Sequence, residues 1–137
     1  MSDQTSDQTA RRPYQYVVLR CVPRVDREEF VNVGIVLYCQ ADDFLAAAWH
    51  VDRERLAALS PGVDLDRVCD ALGFVDRVCA GDPSLGGAGG HPIGQRFGFL
   101  KAPRSTMLQP GPVHGGTTTD PAAQLDRLLA TLVHPPR

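Results

Sequence analysis

Two groups of polar side chains stand where their neighbours would make apolar ones the default. The first surrounds the most apolar stretch of the chain, residues 30–39, and comprises Arg20, Arg24, Arg27, Glu28, Glu29, Asn32 and Gly34. An amide in a run of Val and Ile is costly unless it is hydrogen-bonded, so Asn32 requires a partner. A glycine inside a strand marks a bulge or a close backbone approach. One reading is a structural network in which Asn32 and Glu29 hold Arg20 or a nearby loop. The other is a surface for a ligand or partner. The second group lies in residues 95–121 and holds Arg96, Lys101, Arg104, Ser105, Thr106, Gln109 and His114, with no acidic residue before Asp120. Arginine beside Ser and Thr, with turn amides, is the donor set that a phosphate or carboxylate needs. The competing reading is a loop that bonds to itself and covers the sheet. The binding candidates are therefore Arg20, Arg27, Glu29, Asn32, Arg96, Arg104, Ser105, Thr106, Gln109 and His114.

Catalysis has fewer footholds. Of the histidines, only His114 lies beside other candidates, and as a general base it would need a partner such as Glu29 within hydrogen-bond reach. No Ser sits in a Gly-x-Ser-x-Gly elbow. The glycine-rich run at 86–94 lacks the Gly-Lys-Ser/Thr ending of a phosphate loop and reads as a flexible connection. Cys21, Cys39, Cys69 and Cys79 form no Cys-x-x-Cys pair and fall on apolar faces, which suggests free buried thiols of a reducing cytoplasm. No set of ligands has metal-site spacing, and no cofactor is implied.

Composition narrows the partners. The chain has 137 residues, 14 basic and 16 acidic, for a formal net charge of -2. A bulk attraction to nucleic acid or anionic membrane is not expected. Phe97 and Phe99 beside Arg96 and Lys101 would suit base stacking on a strand, but the same alternation suits two core residues. No apolar run has the roughly 18–20 residues of a membrane span. Residues 1–12 contain no apolar segment of a secretory signal, so a cytoplasmic protein is expected.

The elements that must position these groups follow from pattern. Residues 2–9 repeat Ser-Asp-Gln-Thr, and residues 1–12 are expected to be a disordered polar tail before a single domain at 13–134. Tyr14–Val22, Phe30–Cys39 and Phe44–His50 read as strands. In the second of these, Val31, Val33, Ile35 and Leu37 are expected on the core face. Asp52 and Asp64 read as caps of helices ending near Leu59 and Ala80, and Asp120-Pro121 as the start of a last helix. Arg96–Leu100 and Ser105–Gln109 are expected to be short strands, with loops over 84–95 and 110–119. The class is α+β: an antiparallel or mixed sheet of about five strands, in the order βββ-α-α-ββ-α, with helices packed on one face.

Taken together, Arg27 with Glu29-Phe-Val-Asn32-Val-Gly34-Ile-Val, Arg96-Phe-x-x-Leu, Ala-Pro-Arg104-Ser-Thr, Gly-Pro-Val-His114 and Thr-x-Asp120-Pro resemble domain-of-unknown-function family 3037, a bacterial family of small proteins, over about residues 13–133. The resemblance implies a bacterial, cytosolic protein. It brings no activity, cofactor or catalytic residue. It also implies a neighbour with a HipA-like kinase fold, encoded beside family members, as a possible protein partner. The leading expectation is a non-enzymatic interaction module, its two polar groups meeting on one face. The alternative is a small enzyme or binding protein that acts on a phosphate- or carboxylate-bearing ligand through the Arg, Ser and His cluster.

Overall fold

The computed structural model describes residues 10–104 and 106–135. Its frame is a hairpin of β1 (Arg12–Cys21) and β2 (Val31–Cys39), followed by β3 (Phe44–Trp49). Helices α1 (Arg53–Leu59) and α2 (Leu65–Ala80) come next, then a single turn α3 (Gly87–Gly90) and α4 (Ile93–Lys101). Two short strands, β4 (Leu108–Pro110) and β5 (His114–Thr118), precede the last helix α5 (Pro121–Leu132). All pairings are antiparallel, in the order β3-β2-β1-β4, with β5 also on β1. The α+β class and the five-stranded antiparallel sheet are as the sequence suggests. Of the expected tail, residues 1–9 lie outside the described residues, while Arg12 opens β1 and pairs with Asp42.

β2 sits between two strands and is apolar on both sides. Its alternation breaks at a bulge: Leu19 faces Gly34 and Arg20 faces Asn32, so Val33 is the extra residue. Val31, Val33 and Val36 consequently share one face with Val17 and Leu19, and pack against Leu56, Val68, Leu72 and Phe97. Ile35, Leu37 and Cys39 turn to the other face, against Leu125 and Val133. This corrects two expectations. Val31, Val33, Ile35 and Leu37 do not share one side, and the helices do not all lie on one face, because α5 covers the second apolar face that the bulge creates.

Gly34 is fixed by close approach as well as by the bulge. A Cβ there would lie 3.0 Å from Trp49 Cβ and 3.1 Å from the Ala48 carbonyl oxygen, both on β3. Gly34→Ala is expected to destabilise the fold by about 2 kcal/mol, as overpacking between strands does, and a shifted urea midpoint would measure it.

The helices begin where the sequence signals them. Asp52, Asp64 and Asp120 each accept a hydrogen bond from the backbone N–H three residues on. Gly81, in the left-handed region at φ 72°, closes α2.

Arg96–Leu100 is helical, not a strand. The two-residue spacing of Phe97 and Phe99 is outweighed by Ile93, Phe97 and Leu100 at helical spacing, and Phe97 is 1% exposed while Phe99 is 41% exposed. The two rings do not face the same way, which removes the stacking platform. Residues 84–95 hold ordered turns and the start of α4 rather than a loop. β5 falls inside the segment expected to be a loop. It is a glycine-bearing edge strand that continues the line of β4 along β1, and four of its five residues are exposed, so it carries no apolar signal.

Candidate functional site

The structure joins the two polar groups only in part: Arg20 and Gln109 are cross-strand partners on β1 and β4, while Asn32 and Arg96 lie apart. Asn32 faces α5, and its amide N–H donates to the Leu132 carbonyl at 3.1 Å, tying the end of the last helix to β2. Arg27 pairs with Glu29 and Arg24 with Asp26 on the exposed turn between β1 and β2. Arg96 extends from α4 to the end of α2, on the opposite side of the sheet. It donates to the carbonyls of Val78 at 2.9 Å, Cys79 at 2.8 Å and His91 at 2.8 Å. Asn32 and Arg96 therefore do not contribute to one surface, contrary to the arrangement expected from the sequence.

The catalytic pairing of His114 with Glu29 also does not form. His114 lies opposite Tyr16 and packs its ring 5.3 Å from that ring. Glu29 precedes Val31, which lies opposite Cys21. Five residues of extended strand separate Tyr16 from Cys21, about 17 Å, far beyond a hydrogen bond or one bridging water. Thr106 and Gln109 make a local knot: the Thr106 hydroxyl donates to the Leu108 carbonyl at 2.9 Å, and the Gln109 amide donates to the Thr106 carbonyl at 2.8 Å. Ser105 lies outside the described residues.

Arg104 is placed differently. It leaves the end of α4 and lies over the Phe99 ring at 4.5 Å, with one guanidinium N–H donated to the Phe99 carbonyl at 2.6 Å. No carboxylate pairs with it among the described residues. Burial pulls its pKa down from the ordinary value, but a guanidinium stays charged at any physiological pH. It lines a cleft of about 250 Å³ whose other walls include Phe74 and Val75 of α2, Leu100 of α4, Thr106 and Leu108. The cleft thus combines an apolar floor with one half-buried cation at its rim. Such a site favours an apolar group with a negative charge beside it.

Phe74, Leu100 and Leu108 were not singled out from the sequence. Phe74 carried a usable signal: it belongs to neither the apolar stripe of α2 nor its charged side, and it is 38% exposed, edge-on to Phe99 at 6.3 Å. The thiols offer no comparable site. Cys21 and Cys79 are pushed up to about 11 and about 12 by burial, so they stay protonated and unreactive at neutral pH. No helix among the described residues is long and apolar enough to cross a membrane.

Residues 16–133 match the family model described as "Protein of unknown function (DUF3037)". No curated protein and no solved structure matches the chain. The matched span takes in all five strands and all five helices apart from the first residues of β1, with the Arg104 cleft inside it, and the chain belongs to the DUF3037 family.

Proposed function

We propose that the chain is a bacterial cytoplasmic interaction module without catalysis of its own, and that it holds a protein partner by an apolar side chain next to an acidic group, seated in the Arg104 cleft. The observation that carries this is a half-buried guanidinium with no acidic partner among the described residues, at the rim of an apolar cleft flanked by two part-exposed phenylalanines. Arginine and aromatic residues at a concave patch are the side chains that dominate binding energy at protein interfaces. The wide separation of His114 and Glu29 speaks against the enzyme alternative.

The kinase-fold neighbour implied by the family resemblance is the first partner to test. Titrated calorimetrically against the purified neighbour, Arg104→Ala is expected to bind at least tenfold more weakly than the wild type. Its Tm should fall only a few degrees, because the substitution removes one exposed hydrogen bond and one ring contact, about 1 kcal/mol. Equal affinity for the two proteins would refute the cleft as the binding site. A stability loss as large as the binding loss would make Arg104 a scaffold residue.

A further inference from the structure

On the other face of the sheet, beyond the end of α5, Arg20, Val22, Val25, Glu28, Phe30 and Gln109 line a groove of about 350 Å³. Arg20 and Gln109 are cross-strand partners on β1 and β4, and Asn32 lies opposite Arg20 on β2. The Arg20 guanidinium is held as a flat plate. Its Cζ lies 4.3 Å from the centroid of the Phe30 ring. Against it lies the bare backbone of Gly111, where a Cβ would come within 3.1 Å of Cζ, Nε and Nη2. The Nε–H is buried and has no acceptor among the described residues. Arg20 forms no ion pair among the described residues. Arg20 nevertheless lines the groove, and a guanidinium that lacks an ion pair is matched by an oxyanion presented there.

The groove has a second charge. Glu28 is exposed on its wall, held in the left-handed region at φ 58°, and is not paired with Arg20. The groove is also lined by Val22, Val25 and Phe30, of which Phe30 is 44% exposed. A cation, an anion and an apolar wall in one small groove are the complement of a zwitterion with an apolar side chain. We propose that this groove binds a free α-amino acid with an apolar side chain, its carboxylate on Arg20, its ammonium group at Glu28, and its side chain against Val25 and Phe30. This site is independent of the Arg104 cleft, which opens on the opposite face.

The test is a titration of the full chain followed by nitrogen–proton NMR, reading the Arg20 Nε–H signal and the Gln109 and Gly111 backbone signals. The probes are leucine, N-acetyl-leucine and leucinamide. Leucine is expected to shift all three signals saturably. Leucinamide, which lacks the carboxylate, should not shift them, and N-acetyl-leucine, which lacks the ammonium, should bind at least tenfold more weakly. Glu28→Gln should reproduce that tenfold loss for leucine without disturbing the fold, which keeps the test clear of any damage an Arg20 substitution does to packing. Leucine leaving the signals in place, leucinamide binding as well as leucine, or N-acetyl-leucine binding as well as leucine would each overturn the proposal.

Discussion

Gly89→Ala is expected to destabilise the protein by about 3 kcal/mol, the upper end of what overpacking costs, and to lower Tm by about 10 °C. A Cβ at this buried position would lie 1.9 Å from the Asp82 carbonyl oxygen and 2.8 Å from its carbonyl carbon. Those are backbone atoms, with no rotamer to move aside, and Asp82 is anchored on every side. Its N–H donates to the Arg77 carbonyl at 3.1 Å. Its carboxylate accepts from Arg77 Nε at 2.8 Å and from the Ser84 N–H at 2.9 Å. The Arg77 guanidinium, with help from Ser84, holds that carboxyl at about 2. Gly90→Ala is the matched control. Nothing lies within 4 Å of a Cβ at Gly90, so this substitution should be neutral or slightly stabilising, since alanine favours a helical turn by up to about 1 kcal/mol over glycine. Urea denaturation of the two variants measures the contrast. If both behaved alike, the connection between α2 and α4 would not be packed as described.

The same connection shows where sequence reading stops. Asp52, Asp64 and Asp120 were legible as caps because a cap acts within three residues, and Gly81 was legible as a stop for the same reason. Five glycines between Ser84 and Gln95 carry no such local signal, and they read as slack chain. Their order comes from groups set elsewhere: Asp82 beneath Gly89, and Arg96 reaching back to the end of α2. The bulge at Val33 was half legible. Gly34 announced either a bulge or a close approach, and both are present. What it did not announce was the change of face that sends Ile35 and Leu37 to α5, since the extra residue is itself an ordinary valine. Asn32 was legible as an amide in need of a partner, but its acceptor, Leu132, is a hundred residues away. At the Arg104 cleft the cation was legible from the lack of acidic neighbours. Its apolar walls were not, because they are assembled from α2, α4 and β4 by the packing of the sheet.

Arg96 and Arg104 are the sharpest case of two residues that look alike in sequence and differ in structure. They lie eight positions apart in the same basic segment, and composition alone assigns both to one anion site. Arg96→Ala is expected to cost about 3 kcal/mol, given that hydrogen bonds from a charged donor contribute about 1.5–3 kcal/mol each and are not additive. The guanidinium bonds three carbonyls, two of them in the last turn of α2. The Val78 carbonyl keeps a second donor, the Gly81 N–H at 3.1 Å. The Cys79 and His91 carbonyls have no second protein donor among the described residues, and Cys79 sits where the helix dipole concentrates negative charge. Arg96→Lys should recover only part of the loss, because an ammonium is one point charge and cannot span carbonyls of α2 and of the residues before α4 at once. Thermal unfolding and hydrogen exchange at the α2–α4 junction would read this out: exchange should quicken around Val78–Gly81 and leave the β1–β2 hairpin protected. Partner affinity measured below the lowered Tm should stay near that of the wild type. Arg104→Ala should give the reverse pattern, with affinity lost and stability nearly kept. Opposite responses to the same substitution would tell the two arginines apart: one closes the end of a helix, and the other stands at the mouth of an apolar cleft with no ion pair among the described residues.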